Sequence, residues 1–349
     1  MQQSIVAEVA DKIFANLGSP RLAIDAEDAA WRDTLWRTLE DSGLTLAWVP
    51  EDLGGSGATL ADGFEIAAVA GRFALSVPLI ETLLAGWLLA AAAIASPQGP
   101  MAVAPCRPQQ RLRLDDGMVS GRATRVPFGR EAQHIVVHAD RDGQPVVALL
   151  AAGACRVEEG IDLSGDPRDT VIFENAVPLA VAEVDFDTDR VLLMGSVLRS
   201  LQTASALKAA LDLSVDYAGE RTAFGKPIGK FQAVQINLAR LAGEVSAANA
   251  AATSAADAIA SAESWDDGVF LEAVAAKIRS AEAAEKGFLI AHQVHGAIGV
   301  TDEHVLHRYS LRAMGWRDDF GNESYWARAL GRRIAAEGPA RLWELVAAR

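Results

Sequence analysis

Three stretches of this sequence carry side chains whose types and spacing suit chemistry. The first is Arg221-Thr222-Ala223-Phe224-Gly225-Lys226-Pro227-Ile228-Gly229-Lys230-Phe231-Gln232. An arginine closes one helical pattern, a Gly/Pro-rich turn follows, and a new helix starts at Phe231. A guanidinium beside a helix N-terminus makes an anion site of the kind a diphosphate would fill. The same residues also read as an ordinary helical hairpin turn. The second stretch is Gln293-Val294-His295-Gly296-Ala297-Ile298-Gly299-Val300-Thr301. Glycines between two helices let a ligand approach the backbone closely, or they serve as a C-cap. The third holds the carboxylates Asp318, Asp319 and Glu323. A desolvated carboxylate can act as a general base near neutral pH. Acids placed before Tyr325-Trp326 also suit the dipole of a helix start.

Other signals carry less. His292 and His295 lie three apart on a helix with no third ligand nearby, so a metal is not the reading. No G-x-G-x-x-G follows a strand, and there is no P-loop and no G-x-S-x-G. Trp316 and Trp326 read as packing residues.

The elements that must position these residues follow from periodicity. Residues 1–98 read as helical. Trp31, Leu35, Trp36 and Leu39 recur at helical spacing, and Asp62 offers a cap to a second helix through Phe64, Ile66, Ala67, Ala70 and Phe73. Val49-Pro50-Glu51-Asp52-Leu53-Gly54-Gly55-Ser56-Gly57 is a turn-rich loop between them. Residues 99–190 read as a small β domain. Ile135–Ala139 and Val146–Leu150 flank a turn at Asp142-Gly143, and Leu112–Leu114, Met118–Ser120 and Val171–Phe173 are further short strands. Residues 191–349 return to helix: Val191–Ala218, Phe231–Ala262, Val269–Val294, Asp302–Arg312 and Glu323–Ala348. The expected fold is mainly α, with an N-terminal helical domain, a middle β-barrel-like domain and a C-terminal four-helix bundle.

Composition narrows the function classes. A net charge of −14 argues against a nucleic-acid partner. Met1–Asn16 carries Glu8, Asp11 and Lys12 and does not read as a signal peptide. The most apolar run, Leu83–Ala95, falls short of the roughly 20 residues of a membrane span. Cys106 and Cys155 show no clustered spacing, which suits a reducing, cytoplasmic setting.

The motifs together resemble the flavin-dependent acyl-CoA dehydrogenase family. Arg221, Phe224 and Gln232 match its "R-x-x-F-G-x-x-x-x-x-x-Q" junction, which the resemblance implies contacts the FAD diphosphate and neighbouring cofactor atoms. Gln293, Gly296 and Gly299 match its "Q-x-x-G-G-x-G" turn, implying contact with the adenosine end of a neighbouring subunit's FAD; Ala297 replaces the second glycine of the pair. Val49–Gly57 is similar to the family's "v-P-e-e-x-G-G-x-G". The implied reaction removes a proton α to an acyl-CoA thioester and passes a hydride from the β carbon to the flavin, with an electron-transfer flavoprotein as electron acceptor.

The sequence departs from the family at the base. If Gly321-Asn322 stands for the family's Gly-Thr, Phe320 takes the glutamate's place and Asp319 is the adjacent candidate base. The first bundle helix has no acid between Met194 and Ala210. In the β domain Val126-Pro127-Phe128-Gly129 replaces the flavin-ring residues. The resemblance therefore implies one subunit of an α2β2 complex with another acyl-CoA dehydrogenase subunit, resembling those acting on steroid side chains. The alternatives are a non-catalytic subunit completing a partner's FAD site and an oxidase-like homomer.

Overall fold

The computed structural model describes residues 4–25, 30–338, 343 and 347. The chain divides into two compact units, Met1–Gly195 and Ser196–Arg349.

The first unit opens with helices α1 (Ile5–Leu17), α2 (Pro20–Asp25), α3 (Ala30–Asp41), α4 (Leu60–Arg72) and α5 (Leu79–Ala91). Ser4 caps α1 by accepting from Ala7 N. The cap of α4 sits one turn before the expected Asp62. Thr59 accepts from Asp62 N, and Asp62 reciprocates on Thr59 N. This is a capping box, which satisfies two otherwise orphaned N–H groups at once. The hydrogen bond from the Thr59 hydroxyl holds the Asp62 carboxyl below its ordinary value. Helix α5 is almost wholly buried, and it ends at Ala91 rather than Ala95.

An eight-stranded sheet follows: β1 (Met101–Ala104), β2 (Arg113–Asp115), β3 (Met118–Pro127), β4 (His134–Arg141), β5 (Gln144–Ala151), β6 (Arg156–Glu158), β7 (Arg168–Ala176) and β8 (Ala180–Glu183). The order is β6-β7-β3-β2-β4-β5-β8, with β1 parallel to β4. The β4–β5 hairpin closes at Arg141↔Gln144 around Asp142 (φ +55°) and Gly143 (φ +87°). Two successive left-handed residues give the turn that matches the strands' twist, hence the Asp-Gly pair. Strand β3 is far longer than the expected Met118–Ser120. Its pairing with β7 shifts register at Val119/Gly121 and Ala123/Val126, which scrambles the alternation that marks a strand.

The second unit is helical. Helix α6 (Thr188–Glu220) enters it from the first unit and is 33 residues long. A miniature hairpin, β9 (Thr222–Ala223) and β10 (Lys226–Pro227), joins it to α7 (Gln232–Ser261). Helix α8 (Asp267–His295) runs back, and α9 (Leu306–Asp318) and α10 (Glu323–Glu337) complete the bundle. The expected continuation of α10 to Ala348 falls mostly outside the described residues. Ala248, Ala252 and Ala255 of α7 and Ala273, Ala276 and Ala284 of α8 are buried, and small side chains let two long helices pack closely. Among the described residues no helix is long and apolar enough to cross a membrane.

Candidate functional site

Two sites in the second unit bear on chemistry: a buried ionic cluster and an exposed pair of turns. The cluster starts from a charge inside an apolar helix. Arg199 of α6 is 2% exposed. Its Nε and one terminal nitrogen donate to Asp319 Oδ2, both at 3.0 Å, and its other terminal nitrogen donates to Gln202 Oε1 at 2.6 Å. The guanidinium also lies over the rings of Trp316 and Phe320. Lys277 of α8 comes from the other side, donating to the carbonyls of Trp316 and Asp319 at 2.9 Å each. Asp319 itself is 3% exposed.

The loop after Asp319 is built around this cluster. Phe320 (φ +56°) and Gly321 (φ +91°) reverse the chain. Trp326 Nε1 donates to Phe320 O, and Asn322 caps α10 by accepting from Tyr325 N. The helix cap is therefore Asn322.

This geometry bears on the sequence expectation that Asp319 is the base. A general base needs an oxygen free to take a substrate proton. Here the carboxylate is buried and clamped by a guanidinium. Glu323 is engaged as well: Arg317 donates to both its oxygens at 3.0 and 2.6 Å and holds its carboxyl below the ordinary value. Asp318 alone of the three is half-buried with no ion pair among the described residues. Arg199 and Lys277 are the residues that the sequence reading missed. The available signal was a lone cation in the apolar run Val191–Leu201.

Burial pushes the Lys277 ammonium from 10.5 down to about 7, with the Asp319 charge opposing the shift and Arg199 reinforcing it. Between pH 7 and 10.5 the unfolded chain holds this proton and the folded chain does not. Lys277 therefore adds stability as pH rises through that window, by up to about 1.4 kcal/mol per pH unit, and its contribution is at its minimum below pH 7. Urea denaturation of wild type and Lys277→Met from pH 7 to 10 should show the difference between them growing in favour of wild type. Parallel curves would remove the buried, deprotonating lysine.

The exposed turns lie at one end of the bundle. Strands β9 and β10 pair across Phe224 (φ +51°) and Gly225 (φ +79°). A left-handed aromatic residue is costly, and such outliers gather at functional sites. The Phe224 ring is 97% exposed. Arg221 is exposed and has no carboxylate partner among the described residues. Lys226 and Lys230 are exposed beside it, and the Lys226 ammonium lies 4.5 Å from the Phe231 ring centroid. Phe231 precedes α7 without any side-chain cap, and Gln232 opens the helix exposed. Unpaired cations, open N–H groups and a displayed ring make a fitting seat for a diphosphate.

The second turn adjoins the first. Arg221 N donates to Tyr217 O, and the Tyr217 ring stacks on His295 at 4.7 Å. His295 ends α8, and Gly296 follows at φ +64°, ψ −146°, a conformation only glycine takes readily. Gln293 and Gly296 are exposed. Gly299 is buried, and a Cβ there would stand 2.9 Å from His295 Cβ. The structure thus brings Arg221, Phe224, Gln232, Gln293 and Gly296 to one exposed end and leaves Asp319 inside the bundle. In the first unit Val126, Pro127, Phe128 and Gly129 are all buried. That stretch offers little open surface for a flavin ring.

Comparison with known proteins agrees with this fold. Residues 187–335 match the family of the acyl-CoA dehydrogenase C-terminal domain. Acyl-CoA dehydrogenase FadE27 of Mycobacterium tuberculosis is 30% identical over 344 residues, covering 88% of this chain and 89% of that protein. Acyl-CoA dehydrogenase IpdE2 of the same organism is 28% identical over 321 residues, covering 90% and 91%. Among solved structures, the ChsE4-ChsE5 complex from Mycobacterium tuberculosis gives a TM-score of 0.83 at 25% identity over 97% of this chain and 100% of the matched one. A variant of the Tcur3481-Tcur3483 steroid ACAD gives 0.83 at 26% identity over 95% and 97%.

Proposed function

This chain belongs to the acyl-CoA dehydrogenase family, and from that premise we propose that it is the half-site subunit of a hetero-oligomeric, FAD-dependent dehydrogenase. Arg221, the N-terminus of α7 and Gln232 hold the diphosphate end of FAD, and Phe224 packs against the cofactor. Gln293 and Gly296 take its adenosine end. The chemistry the flavin supplies is acceptance of a hydride from the β carbon of an acyl-CoA. The carboxylate that removes the α proton comes from the partner subunit.

One observation carries this reading. Asp319 is locked to Arg199 inside the bundle, while Arg221 stands exposed and has no ion-pair partner among the described residues. The cofactor grip is open, and the expected base is already occupied. The similar structures support a mixed complex and a bulky substrate, since one is of a ChsE4-ChsE5 complex and the other of a steroid ACAD. An acyl-CoA with a steroid side chain is the substrate class, an electron-transfer flavoprotein is the electron acceptor, and the compartment is cytoplasmic.

The test is flavin occupancy. The chain is purified alone and co-expressed with a longer acyl-CoA dehydrogenase subunit, and flavin absorbance per chain is recorded. The expected result is little flavin in the lone chain and stoichiometric flavin in the mixture. Full occupancy and turnover by the lone chain would replace this reading with a homomeric enzyme, for which the unpaired Asp318 is the remaining base.

A further inference from the structure

Four of the chain's six histidines lie between positions 292 and 307 and flank the turn that carries Gly296 and Gly299. None is among the residues assigned to the cofactor. Three rings meet at this turn. His295 ends α8 and stacks on Tyr217 of α6, and its ring centroid stands 4.7 Å from that of His304. His304 also meets Tyr217 edge-on, at 6.4 Å. The chain between His295 and His304 is the turn itself, so their ring contact closes it like a clasp. Gly299 packs against the His295 Cβ from within the turn. Tyr217 O accepts from Arg221 N. One cluster of rings therefore fastens both exposed turns.

The hydrogen bonds fix the protonation form that the clasp needs. Leu306, the first residue of α9, donates its N–H to His304 Nδ1 at 3.1 Å. A ring nitrogen accepts only while it carries no proton, and an imidazolium has two donors and no acceptor. Protonated His304 would lose this bond and set a positive charge at the positive end of α9. His295 donates from Nδ1 to Ala291 O at 2.8 Å, which leaves its Nε2 bare and buried. The charged and titratable groups around the pair are Tyr217 from α6, His292 from α8, and His307 and Arg308 from α9, with Asp302 and Glu303 exposed in the turn. Asp302 lies 3.8 Å from His307 Nε2. Burial, then the charges of His295, His307 and His292, hold His304 below its ordinary value of 6.5. Burial likewise holds His295 below 6.5, against the Ala291 and Leu213 carbonyls.

We propose that His304 is a positioning residue for the cofactor: neutral, it clasps the Gly296 turn through His295 and Tyr217, and protonated, it lets the turn go. The proposal rests on the reading that Gln293 and Gly296 take the adenosine end of FAD. Its direction follows from the lowered values. The open turn takes up protons from pH 6.5 downward while the closed turn does not. Closure is therefore at full strength above pH 6.5 and weakens as pH falls below it.

Wild type, His304→Asn and His304→Leu are compared from pH 8 to pH 5, as the full chain and in the flavin-loaded complex. Amide hydrogen exchange of segment 296–306 in the full chain, taken relative to intrinsic rates, reads closure of the turn without FAD. Flavin fluorescence of the complex reads FAD affinity. Asparagine offers an oxygen where His304 offers Nδ1, and it does not titrate. In wild type, protection and FAD affinity should both fall in acid, the affinity by roughly tenfold for the loss of one hydrogen bond. His304→Asn should hold both across the range, and His304→Leu should resemble acidified wild type at every pH. Losses that run parallel in wild type and His304→Asn, or that are absent from wild type, overturn the proposal. Protection that switches in wild type while FAD affinity stays level upholds the clasp and overturns the adenosine contact, so the two readings fail separately.

Discussion

Asp319→Ala should cost the folded protein about 3–5 kcal/mol, the penalty for leaving a buried charge without its partner. The residue left behind is Arg199, 2% exposed on α6 and otherwise bonded to Gln202. Below pH 7, where Lys277 keeps its proton, Arg199→Met should cost less, because Asp319 then keeps its carbonyl bond from Lys277 and lies beside that cation. The double variant Arg199→Met/Asp319→Leu should recover much of the loss, since apolar side chains of similar size often replace a buried pair at little cost. Denaturant unfolding of the four proteins closes the cycle. Independent, additive losses would mean that the two side chains do not form the lock seen here. Asp319→Asn then addresses chemistry. In the assembled complex its turnover per folded molecule should match wild type, because the clamped carboxylate takes no proton from substrate. Loss of turnover without loss of folded protein would restore Asp319 as the base.

Arg221→Ala should weaken FAD binding by the assembled complex roughly 10- to 100-fold, corresponding to about 1.5–3 kcal/mol for a charge-assisted contact to the diphosphate. Stability should barely change, because Arg221 is exposed and pairs with nothing among the described residues. Phe224→Gly sharpens the test. Glycine relieves φ +51° and removes a ring that is 97% exposed, so the fold should lose nothing and could gain. Lower flavin affinity in a protein of equal or greater stability would mark the ring as kept for the cofactor. Full FAD retention in both variants would remove the diphosphate grip from this turn.

Much of the architecture was legible in the sequence because it rests on local physics. Helical spacing marked α3, α4 and the long helices α6 to α8 to within a few residues. The Asp142-Gly143 turn named the β4–β5 hairpin, because two left-handed residues in succession need those side chains. The Arg221–Gln232 turn was recognisable as a break between helices, and the glycine at 296 sits where the backbone needs one. Where local patterns were disturbed, the reading failed. The register shifts in β3 hid most of a 10-residue strand, and the cap of α4 was placed one turn late.

The candidate base shows the deeper limit. Asp318, Asp319 and Glu323 are near neighbours in sequence, with Asp319 the expected base and the other two its alternatives. Their fates differ because of partners far along the chain: Arg199 stands 120 positions from Asp319, and Lys277 stands 42. Burial and pairing of a charge are set by which helices meet, and no local spacing records that. The sequence by itself determined the family, the helical bundle and the Arg221–Gln232 turn between two helices, since each depends on contiguous motifs. Only the tertiary structure decided that Asp319 is an internal ion-pair member, because its chemistry depends on side chains that folding alone brings within 3 Å.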